Sequence, residues 1–277
     1  MTAITSPTAT VDPYSLGVPA PARLYLNHLN PLAKVAAVLP AIVLLVFVQD
    51  LETPLWFIAL AYALIVSGTR ITARTAALLF LAIPLGVALI GFGFSLWVDA
   101  AGVDGTAPLL RVGEWTLFTG ALEIGFATAL RLASILALAL IGGLTTAGPD
   151  LVRASIQQLR VPYRIGYTAL AAYRFVPRFG YELSVIRAAH RVRGHHGGGG
   201  PFARLARGWG YIVPLLAGAI RHAERVALAM DARAFGAHPT RTERHLVPFR
   251  TRDTVFIAAF IAASALIFSL TFPWAPA

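Results

Sequence analysis

Cysteine is absent from this chain, lysine occurs once, at Lys34, and 13 acidic residues face 23 basic ones. The missing thiols exclude disulfides, thiolate metal sites and cysteine nucleophiles. The phosphate-loop pattern Gly-x-x-x-x-Gly-Lys-Ser/Thr occurs nowhere, so the chain shows no means of hydrolysing ATP by itself. His-Glu-x-x-His and Gly-x-Ser-x-Gly are missing too, and no apolar run holds two acidic residues within a turn of each other. Ser134 has no histidine in its region. An intramembrane enzyme needs a nucleophile–base set, a metal cluster or paired carboxylates, and none of these is here. No signal peptide is expected in this sequence, because its opening residues lack a basic stretch followed by an apolar core and cleavage site. Met1–Ala22, rich in Pro, Ser and Thr, reads as a disordered lead-in.

What the chain has is apolar length. Hydrophobic residues make up 57% and charged residues 13%, against about 25% charged in a soluble domain, so a polytopic membrane protein is expected. Five apolar stretches are span candidates: Leu32–Val48, Pro54–Gly68, Ala76–Val98, Ala121–Thr146 and Thr254–Phe272. The first two fall short of the ~20 residues of a spanning helix and need snorkelled flanks or form a shallow hairpin. Before them, Leu24–Lys34 mixes apolar and polar positions as an interfacial segment does, with Pro31 at a helix start and Lys34 free to snorkel to headgroups. Span four carries Glu123 and Arg131, about 12 Å apart along a helix and too far for a direct pair. An Arg at that depth faces protein or a polar cavity, which leaves open a partner contact, a pathway or a bridge to a neighbouring helix.

Loop charge sets the orientation. Gly148–Arg252 holds 17 arginines against Asp150, Glu182, Glu224, Asp231 and Glu243, a net +12. Arg23, Lys34, Arg70 and Arg74 fall on the same side, and the acid-rich loop after span three on the other. Positive residues stay inside, so five spans with the amino end cytoplasmic and the carboxyl end outside satisfy every loop. The expected organisation is a lead-in at 1–22, spans one to four in 23–146, a cytoplasmic module at 147–252 and a last span in 253–277. The fold class is therefore an all-α membrane protein, with about five transmembrane helices plus a module of long amphipathic helices between spans four and five.

That module has apolar patches, Ile165–Tyr173 and Gly208–Ile220, flanked by arginines on both sides. They are too short for spans and read as faces of amphipathic helices. A helix is expected over Leu151–Arg160, broken by Val161-Pro162. Arg174/Arg178, Arg187/Arg191 and Arg221/Arg225 form one-sided basic stripes at i,i+4 spacing. Two near-repeats stand out, ending in Val192-Arg193-Gly194 and in Ala232-Arg233-Ala234. Each is a helix-favouring run that ends in small residue, Arg and small residue. Either both are ordinary capped helices or both arginines dock on a partner carboxylate. His195-His196 followed by Gly197–Gly200 reads as a flexible connector rather than a metal site.

The residues resemble the transmembrane T component of energy-coupling factor (ECF) transporters, the ABC-type importers of vitamins and transition-metal ions. The family's opening pattern is similar to Leu26-Asn27-His28-Leu29-Asn30-Pro31-Leu32-Ala33-Lys34. Its Pro-Tyr and Arg-Phe-x-Pro elements resemble Pro162-Tyr163 and Arg174-Phe175-Val176-Pro177. Its two Ala-Arg-Gly signatures resemble Val192-Arg193-Gly194 and Ala232-Arg233-Ala234, with Val192 in place of the usual Ala and Ala234 in place of the usual Gly. The resemblance implies that Arg193 and Arg233 each seat in a groove of an ATPase subunit, two subunits or one fused pair, with Arg174, Phe175, Pro177 and Arg191 supporting the helices. It implies a third partner, a small substrate-binding membrane subunit, in a bacterial or archaeal cell membrane. No cofactor, metal or nucleic acid is implied, and ATP hydrolysis falls to the partners. The rival reading is a self-contained secondary transporter or channel, which ordinarily shows repeated spans and several intramembrane ionisable residues. Here only Arg131 qualifies, and no repeat of the spans is visible.

Overall fold

The structure, a computed structural model, describes residues 24–99, 102–103, 105–112, 115–193 and 200–271. The lead-in Met1–Ala22, Gly194 and the histidine–glycine connector through Gly199 lie outside them. In chain order the helices are α1 (Tyr25–His28), α2 (Pro31–Leu45), α3 (Glu52–Gly68), α4 (Ala73–Ala77), α5 (Ile83–Ser95), α6 (Thr119–Thr145), α7 (Gly148–Gln158), α8 (Tyr163–Val192), α9 (Pro201–Asp231) and α10 (Thr251–Thr271). The chain divides into two units, Met1–Leu151 with Val247–Ala277, and Val152–Leu246.

The first unit is an all-α membrane bundle. Three helical stretches, Ala73–Ser95, Thr119–Thr145 and Thr251–Thr271, are long and apolar enough to cross a bilayer, and α2 and α3 are shorter apolar helices. Local sequence sets their ends. The Asn30 side chain accepts from the Leu32 N–H at 2.9 Å ahead of Pro31, and Asp50 accepts from the Thr53 N–H at 2.7 Å to open α3. Between α4 and α5, Leu78–Ala82 widens into a π-helical turn, and the Tyr62 hydroxyl donates to the Leu79 carbonyl at 2.5 Å. The core gathers small and branched side chains of α2, α3 and α6, such as Ala37, Ala41, Ala61, Ile65, Ala137 and Ile141. Phe57 meets Phe268 of α10 with ring centroids 5.1 Å apart. Small residues let the helices approach, so dispersion rather than water exclusion holds them together in lipid.

Within Leu24–Lys34, Leu24, Leu26 and Leu29 are buried while Tyr25 is exposed, and Leu26 nestles against Gly68, where a Cβ would lie 2.5 Å from Leu26 Cγ. One expectation is corrected here. Lys34 does not snorkel. It is 1% exposed, and its ammonium donates to the Thr145 carbonyl (2.9 Å), the Thr145 hydroxyl (2.9 Å) and the Thr146 hydroxyl (3.1 Å). The loop before α6 also contains a feature that hydropathy did not signal, an antiparallel hairpin of β1 (Pro108–Val112) and β2 (Trp115–Phe118).

The second unit is built on α8 and α9. Both apolar patches of the sequence lie within these helices, of 30 and 31 residues, and neither is a separate span. α7 ends at Gln158, and Arg160 takes a left-handed φ of 54° before Pro162 leads into α8. Phe175 stacks on His222 (4.2 Å, 13°), and His190 meets the Tyr211 ring edge-on at 5.2 Å. Contacts advance along α8 as they retreat along α9, so the two helices run antiparallel.

Candidate docking sites on the paired helices

Each near-repeat arginine sits at the carboxyl end of a long helix. α8 ends at Val192, and Arg193 caps it, its N–H bonded to the Ala189 carbonyl at 3.1 Å. Val192 is 89% exposed, and Arg193 and Arg191 are exposed beside it. At the other site α9 ends at Asp231, with Ala232 at its cap. The Phe235 N–H then bonds the Met230 carbonyl (3.0 Å) and the Ala234 N–H the Asp231 carbonyl (2.9 Å), the bonding of a Schellman turn. Ala234 holds the left-handed position, φ 55°, that such a turn requires. Arg233, the residue before it, is exposed. A cation in this place faces the negative end of the helix dipole, and its five N–H donors are presented outward in a planar fork.

Antiparallel packing puts the two arginines at opposite ends of the pair. From the Phe175–His222 contact, Arg193 lies about 27 Å along α8 and Arg233 about 16 Å the other way along α9, so roughly 40 Å separates them. Phe175 lies inside the pair and also touches Phe179 at 4.5 Å, edge to face. Arg174 and Pro177 are exposed on α8, where Pro177 removes one backbone donor from the helix interior. Arg178 pairs with Glu182 at 3.3 Å on the surface.

The chain that follows Arg233 is fastened, which local sequence patterns do not signal. Arg164 donates to the Gly236 carbonyl (2.5 Å), the Tyr163 hydroxyl to the His238 carbonyl (2.6 Å) and Gln157 to the His245 carbonyl (2.8 Å). The Tyr167 hydroxyl donates to Glu243 at 2.5 Å, and the Arg241 guanidinium lies 4.3 Å from the Tyr167 ring centroid and 5.5 Å from that of Phe235. Burial first and the Glu243 bond second push the Tyr167 hydroxyl up to about 12. The segment after the second signature is thus tied to the end of α7 and the start of α8, which holds the chain just beyond the turn carrying Arg233. Its one trace in the sequence is an acid, Glu243, among arginines.

α9 also carries an uncovered apolar stripe. Trp209, Ile212, Val213, Leu216 and Ile220 are all exposed and recur at the spacing of one helical face.

In the membrane unit, Glu123 is exposed near the start of α6, where the helix dipole favours an acid. The Arg131 guanidinium donates to the Val46 (3.3 Å) and Val48 (3.1 Å) carbonyls just beyond α2.

Comparison with known proteins agrees with this architecture. The profile of the cobalt transport protein family (CbiQ) matches residues 23–244. The energy-coupling factor transporter transmembrane protein EcfT of Staphylococcus aureus is 27% identical over 260 residues, covering 91% of this chain and 95% of that protein. EcfT of Bacillus selenitireducens is 26% identical over 269 residues, covering 94% and 98%. A putative ABC transporter ATP-binding protein of Bifidobacterium longum is 27% identical over 276 residues, covering 95% of this chain but 34% of that longer protein. With a family match running through both units and full-length relatives of one kind, this chain belongs to the CbiQ family as a multi-pass T component of an energy-coupling factor transporter.

Proposed function

We propose that this chain passes the motion of ABC-type ATPase subunits to a small substrate-binding membrane subunit, for uptake of a vitamin or a transition-metal ion. The observation that carries the reading is the placement of Arg193 and Arg233, both exposed, at opposite ends of one antiparallel helix pair. Two grips about 40 Å apart on one helix pair suit two ATPase subunits, separate or fused, whose approach on binding ATP displaces both helix ends. In each groove an Arg fork would hold a carboxylate in a partly desolvated, charge-assisted pair. The similarity to a protein named for ATP binding supports an ATPase partner. The apolar stripe from Trp209 to Ile220 offers the substrate-binding subunit a surface that water alone would not cover. Loop charge supports a cytoplasmic position for this unit, with the amino end inside and the carboxyl end outside. The chain itself breaks no bond in this scheme: it transmits displacement.

The test is Arg193→Glu combined with Arg233→Glu. The double variant is expected to insert and melt as the parent does, yet to lose ATPase co-purification and uptake together. Uptake at the parental rate would overturn the reading. Mass spectrometry of what co-purifies with the tagged parent identifies the substrate-binding subunit, and through its ligand the cargo.

A further inference from the structure

A groove of about 570 Å³ opens in the membrane unit where α1 meets the start of α10, with Tyr25, His28, Arg252, Val255, Phe256 and Ala259 on its walls. Its two ends differ in chemistry. Arg252 stands in the first turn of α10, and Val255, Phe256 and Ala259 follow three, four and seven residues later, on the same helical face. The groove therefore begins at a guanidinium and continues as an apolar track for about 10 Å along the helix. Val255 and Ala259 are exposed. Arg252 spends one N–H on the His28 carbonyl, of the five that a guanidinium has. Tyr25 also lines the groove, its hydroxyl 3.2 Å from the Ser67 hydroxyl.

The corner is built rather than incidental. Asp253 is 1% exposed, and its carboxylate accepts from the Asn30 N–H (2.8 Å) and the Arg250 N–H (2.7 Å), locking the start of α10 to the α1–α2 junction. This acid is turned into the protein, and among the described residues no acidic side chain lines the groove. The neighbouring Asp253 carboxylate is taken up by the Asn30 and Arg250 N–H groups and does not line the groove, so the exposed Arg252 guanidinium favours an anion there, and its fork geometry favours phosphate.

We propose that this groove holds one anionic phospholipid, its phosphate against Arg252, its acyl chain along Val255, Phe256 and Ala259. A free anion would leave the apolar track bare. An uncharged lipid would leave the guanidinium without a counter-charge. The lipid would bridge α1 and α10, helices far apart in the chain.

The experiment is native mass spectrometry of the full chain in detergent, titrated with phosphatidylglycerol or with phosphatidylcholine of the same acyl chains. The parent is expected to retain one phosphatidylglycerol with a preference of about fivefold, the effect of one basic residue on one headgroup charge. Arg252→Gln should bring that ratio near one. Ala259→Phe, which keeps every polar contact, should lower retention of both lipids, and it serves as the test if Arg252→Gln fails to fold. A photoreactive residue at position 255 should capture lipid in native membranes. Equal retention of the two lipids by the parent, unchanged retention in both variants, displacement by inorganic phosphate alone, or capture of a protein at position 255 would each overturn the proposal.

Discussion

Lys34 and Arg131 hold one helix pair from opposite ends: Lys34 of α2 closes the carboxyl end of α6, and Arg131 of α6 closes the carboxyl end of α2. The relationship is reciprocal because α2 and α6 run antiparallel. Each cation meets carbonyls that no intrahelical N–H can reach, where the dipole is negative. α2 has 15 residues and α6 has 27, so α2 stops partway along its neighbour. Its final carbonyls would then face hydrocarbon, where an unmet carbonyl is costly, and Arg131 meets them there.

Lys34→Met should therefore destabilise the folded chain by about 2 kcal/mol, and Arg131→Met by a similar amount, each stranding polar groups at a helix end. Thermal unfolding in detergent measures both. The cations lie roughly 20 Å apart, so the double variant should show the sum of the two losses within about 0.5 kcal/mol. Lys34→Arg should recover only part of the loss, because a planar fork cannot reproduce an ammonium aimed at three acceptors. A parental melting temperature for Lys34→Met would refute the clamp.

This pair also marks the limit of what the sequence discloses. Runs of apolar residues gave the bundle and all five of its apolar helices, because span length is a property of consecutive residues. The helix ends of the second unit were legible too, since Arg193 and Arg233 close recognisable local patterns. Partners across the chain were not. Lys34 before an apolar run reads as a snorkelling residue when its only visible neighbours are sequential, and nothing local points to Thr145. Glu243 enters the sequence only as one acid in a charge count, and nothing local points to Tyr167. The β1–β2 hairpin escaped because its short strands lie in a loop that hydropathy does not score.

The Tyr167–Glu243 bond makes a statement about pH. The Tyr167 hydroxyl is raised from its usual 10.0 to about 12, so the folded state holds this proton more tightly than the unfolded one. The resulting stability is complete below pH 10 and is lost as pH rises toward 12. Tyr167 is only partly buried, so solvent screening keeps the contribution to about 1 kcal/mol. Tyr167→Phe should remove that increment at pH 8 and flatten the fall in melting temperature between pH 10 and 12. If the variant and the parent decline in parallel above pH 10, the bond does not stabilise the fold.

Ala234 sits where glycine is the cheaper residue. At φ 55° its Cβ crowds the backbone, at a cost of roughly 1 kcal/mol that glycine does not bear. Ala234→Gly should offset that strain, less a few tenths of a kcal/mol for the freer unfolded chain. The expected result is a small rise in melting temperature with ATPase co-purification unchanged. A fall in stability would mean that the turn is set by its tethers to Tyr163 and Arg164 rather than by its own backbone.

Single substitutions at the two signature arginines separate docking from mere surface charge. If each arginine seats in its own ATPase groove, Arg193→Ala and Arg233→Ala should each weaken assembly by about 2–5 kcal/mol, since each strands one carboxylate. The sites are about 40 Å apart along the pair and share no contact, so neither loss should alter the other's contact. Arg191→Ala is the comparison, an exposed arginine two residues from Arg193 whose expected part is to support the helix rather than to hold a partner carboxylate. A solvated basic face would treat all three positions alike and respond mainly to salt, because charges beyond about 10 Å are screened at 0.1 M. The docking reading instead requires a loss at Arg193 and Arg233 that persists at high salt, with Arg191→Ala near the parent. Measuring ATPase co-purification for the three variants at low and high ionic strength decides between them, and equal losses at all three positions would remove the basis for two specific grips.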